Sequence, residues 1–311
     1  MYSLLFPGQG SQVVGMCSEL YNNFNLVKEI FKQADDKLKI PLSKIILNGP
    51  EDQLKLTQIT QPAILTASYS FFKTLKDEFN FNFKDFKFFA GHSLGEYSAL
   101  VCSEALKFED AILLVNERGK AMQNAVPVGK GRMLAVLGAK IEEIKNLLDK
   151  QKDDICEIAN DNANGQVIVS GDSESVRKFE IVLKEKKLKS IPLKVSAPFH
   201  CSLMKPAADI MKKKIYETNF KKPLFEIVSN VKAQPESDPN VIKELLIEQI
   251  FSTVRWRETL VNISHLGIQN FIEIGPGKVL TGMVKRTIKT ANCFSINSIA
   301  DIKNLNDKFK K

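Results

Sequence analysis

The apolar run Phe88-Phe89-Ala90 leads into Gly91-His92-Ser93-Leu94-Gly95, and a helix-forming stretch from Glu96 to Ala105 follows. Strand, G-x-S-x-G and helix in that order describe a nucleophile elbow. This sharp turn exposes a serine hydroxyl at the end of a strand and leaves the next backbone N–H free to hold an oxyanion. The glycines are needed because the turn brings backbones together and leaves no room for a Cβ. The motif commits this part of the chain to a strand feeding directly into a helix, and points to acyl transfer through a serine ester. An ordinary strand-to-helix turn with a serine N-cap is the competing reading of these five residues taken alone.

The rest of the chain alternates in the same way. The strand ending at Phe6 leads into Pro7-Gly8-Gln9-Gly10, and helical patterns cover Tyr21 to Leu38, Gln61 to Phe72 and Glu109 to Met122. Phe225 to Val231 and Asn270 to Ile274 read as buried strands; Asn240 to Gln249 and Arg257 to Leu266 read as helices. Alternating β and α elements argue for a mostly parallel sheet covered by helices on both faces. Between them lies a different pattern: strand Met133–Leu137, a helix at Ile141–Leu148, strands Ile155–Ala159 and Gln166–Val169, helix Ser173–Lys187 and strand Ser190–Val195. That order, β-α-β-β-α-β, is ferredoxin-like. It is flanked by the breakers Val126-Pro127-Val128-Gly129 and Ser196-Ala197-Pro198. Residues 127–196 are therefore expected to be a small subdomain inserted into a larger α/β domain made of residues 1–126 and 197–311.

With 311 residues the chain can bury one large core together with such an insertion. No stretch approaches the roughly 20 apolar residues of a membrane span, and no leader pattern precedes the first strand. Five scattered cysteines without a CxxC pair argue for reduced thiols, and hence for the cytoplasm, or for an organelle if a transit peptide has been removed. With three histidines and no HExxH, no metal site is expected. The net charge of +8 is carried by dispersed lysines, with some density at residues 184–189, 212–214 and 303–311. Each run reads most simply as a solvated face, and alternatively as attraction for an anionic partner. No zinc-finger or RNP pattern supports a nucleic-acid role.

A serine hydroxyl needs a base. His92 adjoins the serine, so its side chain should point elsewhere, and His265 ends a helical pattern. By elimination His200, in Ser196-Ala197-Pro198-Phe199-His200, is the candidate base; a satisfied structural histidine is the competing reading. Ala111, Leu114, Val115, Arg118 and Met122 share one helix face, which puts Arg118 in the core-facing stripe. A buried guanidinium requires an anionic partner. Either a structural ion pair with a distant acid supplies it, or the fork grips a substrate carboxylate. Gly8-Gln9-Gly10 lacks the third glycine of a dinucleotide loop, because Val13 stands there, and Gly275-Pro276-Gly277-Lys278 lacks the Walker A spacing.

Phe6-Pro7-Gly8-Gln9-Gly10-Ser11-Gln12, Gly91-His92-Ser93-Leu94-Gly95-Glu96-Tyr97, Arg118-Gly119, Pro198-Phe199-His200 and Glu273-Ile274-Gly275-Pro276-Gly277-Lys278-Val279-Leu280 together resemble the malonyl-CoA:acyl carrier protein transacylases of dissociated fatty acid synthesis. Order and approximate spacing hold from Ser3 to about Arg286. The resemblance implies a hydrolase-like α/β domain with a ferredoxin-like insertion, Ser93 as nucleophile and His200 as base. It further implies an oxyanion hole from the N–H groups of Gln9 and Leu94, and Arg118 as binder of the malonyl carboxylate. The backbone carbonyl of Gln249 would orient His200, and His92, Phe199, Asn160 and Asn162 would stand near the site. The substrates implied are malonyl-CoA and phosphopantetheine-bearing acyl carrier protein, with no resident cofactor and a monomeric enzyme. A serine esterase or thioesterase, or an idle carrier-binding subunit, are the alternatives; the core-face Arg118 and the lack of an obvious acidic triad member weigh against the first, and the retention of Ser93, His200 and Arg118 together weighs against the second.

Overall fold

The computed structural model describes residues 1–151, 155–195 and 197–309. Ser196, at the expected edge of the insertion, and the last two lysines of the 303–311 run lie outside them. Ten strands form two sheets: β1 (Tyr2–Phe6), β2 (Phe86–Gly91), β3 (Gly131–Leu137), β4 (Cys156–Ala163), β5 (Gln166–Asp172), β6 (Lys189–Pro192), β7 (Glu226–Val228), β8 (Pro235–Glu236), β9 (Asn270–Ile274) and β10 (Asn292–Ile296). The larger sheet runs β10-β9-β1-β2-β7-β8 and is parallel except for β8, which returns against β7. Both faces of its centre are covered, as near-continuous apolar strands require. Leu4, Phe6 and Phe89 alternate into one core, packed by the helices Asn25–Leu38, Thr57–Lys73 and Phe108–Asn124. Leu5, Phe88 and Ala90 face another, built on Trp256, Leu260 and Phe271.

The smaller sheet is antiparallel throughout, in the order β4-β5-β3-β6. Helices Ile141–Leu148 and Ser173–Glu185 pack on it around Leu134, Val136, Val169, Val176 and Phe179, which completes the β-α-β-β-α-β order read from the sequence. β4 is bridged to the segment that precedes helix Trp256–His265. The N–H of Asp161 donates to the Val254 carbonyl (3.0 Å) and the N–H of Val254 to the Ala159 carbonyl (2.8 Å), beside the ion pair of Arg257 with Asp161 at 2.8 Å.

Three expectations need correction. The helix read as Tyr21–Leu38 is two helices, Ser18–Asn23 and Asn25–Leu38, broken where Phe24 is extended (φ −127°, ψ 122°). The strand expected over Phe225–Val231 keeps pairing only over Glu226–Val228, because Ser229 and Asn230 turn inward as buried polar residues. β4 runs on from the expected Ala159 to Ala163, and this extension carries Asn160 and Asn162.

The register puts Phe6 beside Gly91. The loops leaving β1 and β2 therefore emerge side by side at the carboxyl edge of the sheet, where open α/β sheets bind ligands.

Candidate active site

Ser93 sits directly after β2 with φ 53°, in the left-handed region. The glycines flanking it are there because backbones touch. A Cβ on Gly91 would lie 1.9 Å from the Gly95 carbonyl, and one on Gly95 would lie 2.3 Å from the Phe6 carbonyl oxygen. Helix Gly95–Cys102 begins immediately afterwards, so the expected elbow is present as a turn. The loop after β1 presses against it: the His92 N–H donates to the Phe6 carbonyl at 3.0 Å, and a Cβ on Gly8 would meet the His92 carbonyl oxygen at 2.5 Å.

His200 reaches the serine from the irregular segment after β6. Its Nε2 lies 2.8 Å from Ser93 Oγ, and its Nδ1 lies 2.9 Å from the backbone carbonyl oxygen of Gln249. A carbonyl can only accept, so Nδ1 carries the hydrogen and Nε2 is left as an acceptor for the serine proton. Burial, reinforced by the Arg118 charge, holds the imidazole pKa down to about 3, which keeps it neutral with Nε2 unprotonated.

Arg118 is 1% exposed. Its Nη1 donates to Gln61 Oε1 (2.8 Å), and its Nη2 donates to Gln249 Oε1 (2.9 Å) and Ser93 Oγ (3.1 Å). Nε is buried without a hydrogen-bond partner among the described residues. Of the two partners expected for this side chain, the structural ion pair with a distant acid is not formed among the described residues. Two amide oxygens and the serine hydroxyl take the Nη donors, and no acid pairs with it among the described residues, so the positive charge is not cancelled. Burial pulls its pKa below the usual arginine value.

The remaining predicted residues gather at the same place. Gln9, His92, Asn160, Asn162 and Phe199 line one cavity of about 220 Å³ with Ser93, His200 and Arg118; Met122, Met133, Ile168, Val279 and Met283 supply its apolar wall. The backbone N–H groups of Gln9 and Leu94 are spent on no hydrogen bond among the described residues. His92 turns away from the serine, as expected: its Nε2 meets Asn162 Oδ1 at 2.8 Å and its ring packs edge-on to Trp256. That contact ties the elbow to β4 across the cleft. His265, set aside from the sequence, is exposed at the end of helix Trp256–His265.

Three side chains at the site had no role assigned from sequence: Gln61, Glu96 and Asn230. Asn230 braces the elbow. Its Oδ1 accepts from the Ser93 N–H (2.7 Å), its Nδ2 donates to the Gly91 carbonyl (2.7 Å) and its own N–H donates to Glu96 Oε2 (3.1 Å). Gln249 Nε2 donates to the same Glu96 oxygen (2.7 Å) and to the Ser93 carbonyl (3.1 Å). Burial raises the Glu96 carboxyl to about 7. The available signal was polarity out of place: Ser229-Asn230 closing an apolar strand, and Gln61 inside an apolar helix.

An α/β chain with a serine–imidazole pair on an elbow turn, facing a buried guanidinium, defines a class built for acyl chemistry. The acyl transferase domain model matches residues 3–310. A malonyl CoA-acyl carrier protein transacylase of Haemophilus influenzae is 40% identical over 301 residues, 96% of each chain. The structure of an acyl-carrier-protein S-malonyltransferase from Bartonella henselae superposes with a TM-score of 0.96 at 38% identity, covering 100% of this chain and 99% of that one. A malonyl-transacylase in complex with its type II PKS acyl-carrier protein superposes at 0.95 with 38% identity, covering 99% of both. The chain belongs to the acyl transferase family.

Proposed function

We propose that this protein transfers the malonyl group from malonyl-CoA to the phosphopantetheine thiol of acyl carrier protein through a malonyl ester on Ser93, supplying fatty acid chain elongation. The observation that carries the reading is the convergence on Ser93 Oγ: His200 Nε2 at 2.8 Å on one side and Arg118 Nη2 at 3.1 Å on the other. His200 takes the serine proton as Oγ attacks the thioester carbonyl. The oxyanion develops opposite the N–H groups of Gln9 and Leu94, each such donor worth about 3 kcal/mol of barrier. The proton then passes from His200 to the departing coenzyme A thiolate. In the second half the carrier thiol gives its proton to His200 and attacks the ester carbonyl, and His200 returns that proton to Ser93 Oγ as the serine leaves. Arg118 receives the malonyl carboxylate, which brings the charge that the two glutamines do not supply.

The acceptor on His200 Nδ1 is a neutral carbonyl, which stabilises the imidazolium less than a carboxylate would. A thiol is activated more readily than water, so the weaker base favours transfer over hydrolysis. The division into residues 1–126 with 197–311 and an inserted subdomain 127–196 belongs to the same proposal, as do a monomeric state, a cytoplasmic location and the absence of a resident cofactor. The test is intact mass after incubation with malonyl-CoA. The chain gains one malonyl group, loses it to phosphopantetheine-bearing carrier faster than to water, and gains nothing as Ser93→Ala. Retained labelling in a folded Ser93→Ala protein overturns the role of Ser93.

A further inference from the structure

Arg118 is a buried charge whose contacts are all neutral, and a charge so placed is costly without an opposite one near it. The carboxylate that acts on it is Glu96, itself 2% exposed. The two do not touch. The Gln249 side chain stands between them, with Nε2 on Glu96 Oε2 at 2.7 Å and Oε1 on Arg118 Nη2 at 2.9 Å. A carboxylate only accepts, a guanidinium only donates, and an amide has one end for each. Glu96 therefore dictates which way the Gln249 amide faces, and so presents an oxygen to Arg118. The same carboxylate oxygen accepts the Asn230 N–H, and Asn230 holds the Ser93 N–H.

We propose that Glu96 is a positioning residue, the indirect counter-ion of Arg118, which acts through the Gln249 amide to orient and balance the guanidinium while leaving it free to receive a substrate carboxylate. A direct ion pair would occupy the fork, and substrate would have to break it. One intervening amide keeps the compensation and leaves the fork accessible. The inference rests on the malonyl-transfer reading given above.

Glu96→Gln keeps the shape and one oxygen for the Asn230 and Gln249 donors but removes the charge, and the comparison is made above about pH 8, where the Glu96 carboxyl is ionised. The malonyl carboxylate then becomes the only counter-ion of Arg118. The KM for malonyl-CoA falls by at least about fivefold and discharge of the malonyl-enzyme to carrier slows by a similar factor, while the KM for acetyl-CoA stays put. In an Arg118→Ala background the same exchange moves neither KM. An unmoved malonyl KM in folded Glu96→Gln, an equal shift for acetyl-CoA, or a shift that survives Arg118→Ala each overturns the proposal. Gln249→Met is the companion variant: it deletes the amide but retains the backbone carbonyl that meets His200. It narrows the malonyl-over-acetyl preference by at least about fivefold, and an unchanged preference counts against the amide link whether or not Glu96→Gln folds. A wild-type chain that takes up no malonyl group removes instead the reading on which the inference stands.

Discussion

At the scale of one residue, the proposed choice of substrate rests on Arg118. Its guanidinium is desolvated, its donors end on neutral oxygens, and Ser93 Oγ lies within its reach. A short diacid esterified to that oxygen places its free carboxylate where the unbalanced charge is, whereas an acetyl group leaves it as it was. Truncating one partner of a desolvated charge pair costs about 3–5 kcal/mol. Arg118→Ala is therefore expected to lower malonyl-CoA kcat/KM by about 150- to 5,000-fold, with a far smaller change for acetyl-CoA; steady-state assays with both thioesters check this, and an unchanged ratio counts against the assignment. The sequence already pointed to this arginine, because helical spacing placed a charge in an apolar stripe. Its partners were not legible. Gln61 and Gln249 come from helices 57 residues before and 131 after it, and local pattern carries no signal for a contact made that far along the chain.

At the level of elements, the site is a consequence of two loops forced against each other. β1 and β2 are in register at Phe6 and Gly91, and the chains leaving them are packed so closely that Gly8, Gly91 and Gly95 have backbone where a Cβ would go. Gly95→Ala is expected to cost about 1–3 kcal/mol of stability by overpacking and to slow acylation along with it, because Phe6 and the elbow must separate. Thermal melting and the rate of malonyl-enzyme formation test this together, and an unaltered protein in both would show that the turn has slack. These elements were well marked in the sequence: the strand read at Asn270–Ile274 forms with those bounds around Phe271 and Ile272, and the elbow is bracketed by glycine. The break at Phe24 was not marked, since apolar spacing continues through it from Leu20 to Val27 and Phe31 and no proline or glycine interrupts. The inward turn at Asn230 was likewise hidden, because what bends the chain there is the hydrogen bonding of the elbow 137 residues earlier.

For the whole molecule, the cavity opens beside helix Val279–Thr287, whose Val279, Leu280 and Met283 line it. Lys278, Lys285 and Arg286, on or beside this helix, are exposed, and none makes an ion pair among the described residues. With a net charge of +8, exposed cations of this kind favour the approach of an anionic partner. The kcat/KM for the carrier is expected to fall about tenfold between low and high ionic strength, with kcat nearly constant, because screening acts on encounter. A salt-independent kcat/KM would remove electrostatic steering from the account. Whole-molecule alternation of strands and helices, and the β-α-β-β-α-β order, could be read from the sequence because periodicity is local. The bridge from β4 to Val254 could not, because it is made by backbone groups that any residue supplies.

That last point applies with most force to the imidazole. What orients His200 is the main-chain oxygen of residue 249, not a side-chain acid. An aspartate in a hydrolase triad can be lost to one nucleotide change, but no codon lacks a carbonyl. Mutational drift at position 249 can spoil the setting of the arginine and yet leave the general base aimed at its serine, so damage to selectivity and damage to chemistry are inherited separately.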